Sequence, residues 1–247
     1  MCNLYTLAPK GAAERAVGAA GRRIHMADYD QRTVGPFQAG VFIRPGSDDL
    51  IGQMGQWGLI RPGQPERIDY IRSKVEPDKK PRSPRARSTN NARIEGIESK
   101  PTFRDAWRQG RRCLIPADWY QEPNWETSKN IWWHLKRADG APWFLAGLWS
   151  EWVDPASGEV VPNFTMITCN CDGHPLLGRL HKPDPTLPAD AQDKRAVVHI
   201  DSGNWDQWLT GTVDQALALI KPQPIEEFDL ADARRTNELL AGPTGLF

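Results

Sequence analysis

Strand-length apolar runs dominate the chain, and most of them end on proline, glycine or a charged residue. The run "AGVFIRPG" predicts a short strand over Val41–Arg44, closed by Pro45-Gly46. "IGQMGQWGLI" predicts a second, ending at Ile60 before Arg61-Pro62-Gly63. "NIWWHLK" alternates Ile131, Trp133 and Leu135 against Trp132 and His134, the two-residue period of a strand with one buried face. Followed by "ADG" and then "PWFLAGLWSEW", it predicts a hairpin. "NFTMITCN" and "RAVVHI" predict two further strands.

Helical stretches are shorter. "KPTFRDAWRQGRR" sets Pro101 near a first turn and basic residues at its end, as the helix dipole favours. "SGNWDQWL" and "TVDQALALI" follow, the second with Thr212 as N-cap. No βαβ rhythm connects these elements. The expected fold is therefore α+β, a single domain over residues 1–222 with a mostly antiparallel, barrel-like twisted sheet flanked by short helices. Residues 223–247 are expected to form a tail docked on that domain, and the proline-rich charged stretch Glu76–Thr89 to be a long loop within it.

Composition narrows the function classes. Lys+Arg and Asp+Glu are equal at 31 each, which excludes a globally basic nucleic-acid binder but leaves room for a local basic patch. No stretch has the pattern of a signal peptide or the length of a membrane span. With no export signal, the thiols of Cys2, Cys113, Cys169 and Cys171 are expected to be reduced and the protein cytoplasmic. The 11 tryptophans are many for 247 residues, and most are expected in the core.

Four segments carry candidate chemistry. The chain opens Met1-Cys2, and the small Cys2 side chain permits removal of Met1. A free N-terminal cysteine is a 1,2-aminothiol whose α-amine titrates near pH 8. It condenses with an aldehyde to a Schiff base, which the thiol closes to a thiazolidine. The alternative is a buried strand cysteine with Met1 retained. "NNARIE" sets Asn91 and Arg93 on one face of an extended segment, after a loop with Lys79, Lys80, Arg82, Arg85 and Arg87 that could track a phosphate backbone. In "RRCLIPADWYQEPNW", Glu122 lies among aromatics that could raise its pKa and suit it to acid–base work, or it is a surface glutamate in a turn. In "TCNCDGHPLLGRLHKPDPTLP", Cys169, Cys171 and His174 lack the spacing of a structural zinc site, and alternation predicts core thiols. No metal is expected. His181, after a short helix, is a candidate acid–base residue or a structural histidine.

Together these segments resemble the SRAP family (SOS response-associated peptidase, or abasic-site processing, proteins), over Cys2 to about Ile200. The resemblance is carried by Met1-Cys2, "WGLI" from Trp57, "NAR" from Asn91 with Glu95, "FR" at Phe103-Arg104, "RRCLIPAD" with Glu122, "AGLW" from Ala146, and a Thr-x-Asn leading to His181. It implies a protein that binds single-stranded DNA at abasic sites and cross-links to the ring-opened aldehyde as a thiazolidine through Cys2, with Met1 removed either by the protein itself or by a housekeeping aminopeptidase. In that role Cys2 is the nucleophile, Asn91 orients it, Glu122 is the acid/base, His181 assists proton transfer and Arg93 holds a phosphate. Trp57, Arg104, Lys79, Lys80 and Arg82 would complete the DNA contact. No cofactor is implied, and a monomer that joins the nucleoid when DNA-bound is expected. Several positions depart from the family pattern: Asn3 and Leu4 replace its usual Gly-Arg, Pro123 stands where a tryptophan is usual, and Lys182-Pro183-Asp184-Pro185 follows His181 in place of Asp-Arg-Met-Pro. The chain thus reads as a divergent branch. A non-covalent single-strand binding module and an N-terminal-cysteine peptidase are the alternatives.

Overall fold

The structure is a computed structural model, and it describes residues 2–71 and 83–231. Thirteen strands run through the described chain: β1 (Tyr5–Leu7), β2 (Ile24–Met26), β3 (Thr33–Val34), β4 (Ala39–Pro45), β5 (Leu50–Trp57), β6 (Tyr70–Ile71), β7 (Arg85–Ala86), β8 (Asn91–Arg93), β9 (Arg112–Asn124), β10 (Ile131–Leu135), β11 (Trp143–Val153), β12 (Val160–Asn170) and β13 (Arg195–Val197). Four short α-helices accompany them: α1 (Lys10–Ala19), α2 (Arg104–Arg108), α3 (Trp205–Thr210) and α4 (Val213–Leu217).

The order β11-β12-β5-β4-β9 closes on itself because β9 also pairs β11, from Ala117↔Trp143 to Arg112↔Leu148. Five strands thus form a barrel-like sheet in an α+β fold, as expected. Closure buries both faces of these strands, so their apolar runs do not alternate. Residues Cys113, Ile115 and Ala117 of β9 point into a core that also holds Cys2, Tyr5, Trp57 and Phe164. Their neighbour Leu114 packs outward with Phe144, Trp107 and Trp208 beneath α2 and α3. The guanidinium of Arg112 ties this outer layer down by donating to the carbonyls of Trp208 and Gly211.

Within "AGLW", Gly147 is required by close approach. A Cβ there would lie 2.5 Å from the Thr165 carbonyl oxygen and 2.6 Å from Ile115 Cδ1. Gly147→Ala should therefore cost about 1–3 kcal/mol by overpacking, measured by urea unfolding.

The hairpin expected over Asn130–Trp152 does not form. β10 and β11 both lie antiparallel along the same long strand, β10 on Asn124–Tyr120 and β11 on Ala117–Arg112. They read as one strand interrupted by the excursion Lys136–Pro142, which includes Gly140 at φ +70°. That excursion receives the chain's later part. Arg137 bridges Phe228, and the Ala138 N–H donates to the Glu227 carbonyl. Phe228 is buried against Trp143. Residues 232–247 of the expected tail lie outside the described residues. The expected helix at "TVDQALALI" forms as α4, with a capping box between Thr212 and Gln215. Helix α1 has a weak signature in sequence, because it is alanine-rich and buries only Ala13 and Val17.

Candidate functional site

β1 pairs antiparallel with β9, Tyr5 opposite Tyr120. Two residues further back, this register lays Cys2–Asn3 alongside Glu122–Pro123. The Gln121 N–H donates to the Leu4 carbonyl, which extends the pairing beyond the strand. β8 brings the second wall by pairing parallel to β12, Asn91 beside Met166. The third comes from the turn after a 3₁₀ helix at Leu177–Arg179, where the His181 N–H donates to the Pro123 carbonyl at 2.7 Å.

These elements gather Cys2, Asn91, Glu122 and His181, the four residues expected to carry chemistry. Asn91 Nδ2 donates to the Cys2 carbonyl at 2.6 Å, and Asn90 Nδ2 donates to the same oxygen at 3.2 Å. Asn90 also reaches Asn3 Oδ1 at 3.2 Å and accepts from Ser88 Oγ at 2.7 Å. Asn90 was missed by sequence reasoning. The doubled asparagine was its only signal, since either residue of the pair could have faced the site. Asn91 Oδ1 is buried and has no hydrogen-bond partner among the described residues.

Glu122 is 2 % exposed. Burial raises its carboxyl from 4.5 to about 7. At neutral pH it therefore holds both protonation states in comparable amounts. Cys2 is fully buried, and its Sγ–H donates to the Leu4 carbonyl at 3.3 Å. Burial, reinforced by the nearby Glu122 charge, pushes its thiol well above the ordinary range, so it rests as the thiol.

His181 Nε2 lies 3.3 Å from Glu122 Oε2 and 3.1 Å from the Arg195 carbonyl oxygen. Burial lowers its pKa to about 3, so the ring is neutral. A carbonyl only accepts, which assigns the proton to Nε2. The Nε2–H is thus taken up by the Arg195 carbonyl, and His181 sets a neutral ring beside Glu122. Its backbone is in the left-handed region, φ 65°, and Lys194 Nζ donates to its carbonyl at 2.7 Å. Lys194 and Arg195 are the other residues sequence reasoning missed. Twelve residues of loop separate them from His181, so no spacing signals the contact.

The expected DNA contacts separate. Arg93 is half-exposed at the edge of the site, paired with Asp193 at 2.5 Å. Arg104 is an exposed residue of α2, paired with its neighbour Asp105. Trp57 is a correction: it is 0 % exposed and packs edge-on against Tyr5, so it offers no face to a base. Closure of the barrel puts it inside. Lys79, Lys80 and Arg82 lie outside the described residues. From the same loop, Arg87 pairs with Asp69 at 2.7 Å. Four tryptophans keep exposed surface: Trp119, Trp125, Trp132 and Trp149. Trp119 and Trp132 project from the opposite face of β9–β10 to Glu122, by alternation. Trp125 is next to the site, with Lys182 Nζ 5.2 Å from its ring centre.

Both ring nitrogens of His174 are used within the fold, by the N–H groups of Leu176 and Leu177 and by the Gln223 carbonyl. Burial pushes Cys169 up to about 11 and Cys171 to about 12, as expected of core thiols. One trio elsewhere, His199, Asp201 and Glu227, has metal-type ligand atoms within 4.8 Å of one another. The Arg137 guanidinium already sits among them, 2.7 Å from His199 Nε2 and 3.7 Å from Glu227, and its charge opposes a cation there. Among the described residues no helix is long and apolar enough to cross a membrane.

Fold and site together define a class: an α+β barrel with a cysteine at its second position, enclosed by a buried glutamate, a neutral histidine and an asparagine pair. The profile of the SOS response associated peptidase (SRAP) family matches residues 1–236, and the chain belongs to that family. It is similar to a crystal structure of a protein from Bordetella bronchiseptica, with 30% identity and a TM-score of 0.73 over 92% of this chain and 97% of that one. A protein from Bacteroides thetaiotaomicron is similar at 23% identity and a TM-score of 0.64, covering 92% and 90% of the two chains. A phage-related protein from Bordetella bronchiseptica shares the fold at 16% identity and a TM-score of 0.54, over 88% and 87%. Comparison with curated protein sequences gives no match. Membership supports a role associated with the SOS response, and so with DNA lesions.

Proposed function

We propose that this protein captures abasic sites in single-stranded DNA by a covalent bond through Cys2. The observation that carries the proposal is the placement of the Cys2 thiol beside a buried carboxyl raised to about 7. Loss of Met1 creates the Cys2 α-amine. The neutral amine adds to the C1′ aldehyde of the ring-opened sugar, giving a carbinolamine. Glu122 in its acid form donates a proton to the departing hydroxyl and recovers the proton of the carbinolamine nitrogen, so one water leaves with formation of the imine. The thiol then attacks the imine carbon. Its proton passes to Glu122, the C=N electron pair returns to nitrogen, and a proton from Glu122 neutralises it. The thiazolidine ring closes with the net loss of one water.

His181 sets a neutral ring 3.3 Å from Glu122 Oε2, which helps keep the carboxyl desolvated between these transfers. Asn91 and Asn90 hold the Cys2 carbonyl, which fixes the direction of the amine. Trp125 is the best-placed tryptophan to stack on a neighbouring base, at about 1–3 kcal/mol per base, in place of Trp57. The Leu4 side chain offers no contact to phosphate, but its carbonyl orders both Cys2 and Gln121. Removal of Met1 by the protein itself would use the same Cys2–Glu122 pair.

The test is incubation of the purified protein with an oligonucleotide bearing one abasic site, then denaturing electrophoresis. A heat-stable adduct is expected with the natural abasic sugar. No adduct is expected with an undamaged strand or with a tetrahydrofuran analogue, which has no aldehyde. An equal yield on the analogue would sink the aldehyde chemistry.

A further inference from the structure

Arg93 is the cation on which the proposed strand contact relies, and in this structure it is already occupied. Its Nη1 lies 2.5 Å from Asp193 Oδ2, while Asp193 Oδ1 lies 3.2 Å from Nη1 of Arg195. One carboxylate thus spans two guanidiniums, the arrangement in which arginines hold a backbone phosphate. Asp193 is held in this pose by the fold. Its backbone is left-handed at φ 53°, and its N–H donates to Asp172 Oδ2 at 3.1 Å. The next N–H, of Lys194, donates to the other Asp172 oxygen at 2.7 Å. Arg195 is deeply buried and bound to Glu95, so the pair has a rigid side and an open side. The open side is Arg93, 50% exposed, against Asp193, 42% exposed.

We infer that Asp193 is an internal stand-in for a nucleic-acid phosphate: it occupies Arg93 in the free protein and yields to the strand's backbone on binding. This rests on the single-stranded DNA function proposed above. An exposed ion pair is weak enough to be displaced, at a cost of up to about fivefold in affinity. The consequence is selectivity. An undamaged strand meets this cost with nothing to offset it, whereas an abasic strand is retained by the bond to Cys2.

The test is fluorescence anisotropy with a short undamaged single-stranded oligonucleotide, on wild type, D193N, D190N and the R93A/D193N double variant. Asparagine tolerates the left-handed backbone, so D193N keeps the loop. D193N should bind about two- to fivefold more tightly, and the slope of log K against log salt should steepen, because no carboxylate is freed to take up a counterion on binding. D190N makes the same charge change at an exposed position of the same loop, and should leave both quantities near wild type. In the double variant the gain should vanish. Unchanged or weaker binding by D193N overturns the inference, and so does a D190N that matches it. Abasic cross-linking, run in parallel, separates the two ideas. Wild-type adduct without D193N tightening removes the stand-in alone; tightening without any adduct removes the covalent function alone.

Discussion

Cys2→Ala is expected to lose the heat-stable abasic-site adduct by at least about a hundredfold, while keeping a weaker product that appears only when borohydride is added. The distinction follows from the two groups of the aminothiol. Alanine is also small, so Met1 removal proceeds and an α-amine remains. That amine still forms an imine, and borohydride reduces the imine to a stable amine. Without the thiol the imine is not closed to a thiazolidine, and water returns it to aldehyde during heating. Cys113, Cys169 and Cys171 cannot substitute, because an internal cysteine has no free α-amine beside its thiol with which to close the five-membered ring. If Cys2→Ala gives as much heat-stable adduct as wild type, the bond is not made at Cys2. If it gives no borohydride-trapped product either, the amine is not the attacking group.

Glu122→Gln is expected to slow adduct formation about a hundredfold, the usual size of a lost general acid–base group, and to slow adduct reversal with it. Wild type should show a break in its rate profile near pH 7, where the carboxyl changes form. The variant should lose that break and keep only the titration of the amine, near pH 8. Stability should move the other way. The Glu122 carboxyl is raised from 4.5 to about 7 by burial, so the folded chain holds its proton more tightly than the unfolded chain. Its contribution favours the fold fully below pH 4.5 and is lost as pH rises through about 7. Glutamine never ionises. Melting temperatures of Glu122→Gln should therefore exceed those of wild type at pH 8, with the gap closing at pH 4.5. A variant that is slower and less stable at pH 8 would mark Glu122 as a structural residue, and unchanged rates would remove it from the mechanism.

The elements most legible in the sequence are those whose pattern is local. Thr212 signals its own helix because the capping box closes within four residues. The strand at "NFTMITCN" is legible because an eleven-residue β12 carries more apolar signal than its neighbours can blur. The hairpin expected over Asn130–Trp152 fails for the opposite reason. Two adjacent strands with a turn-like "ADG" are compatible either with pairing to each other or with both pairing to β9, and only the long partner decides. Trp57 shows the same limit in the site. An aromatic in a strand has one face inward and one outward by alternation, but closure of β9 on β11 makes one of those faces the interior of a barrel.

The sequence alone names the proposed reactive set, a thiol at Cys2, an amide at Asn91, a carboxyl at Glu122 and an imidazole at His181, because the chemistry of each group belongs to its own side chain and needs no fold to be named. Their protonation and partners were decided only by tertiary structure. Burial beside Cys2 moves Glu122 to about 7, and the Arg195 carbonyl fixes the proton on His181 Nε2. Asp193 takes up Arg93 from a hundred residues away. Those properties depend on desolvation and on charges brought together across long sequence separations, and neither exists until the barrel closes.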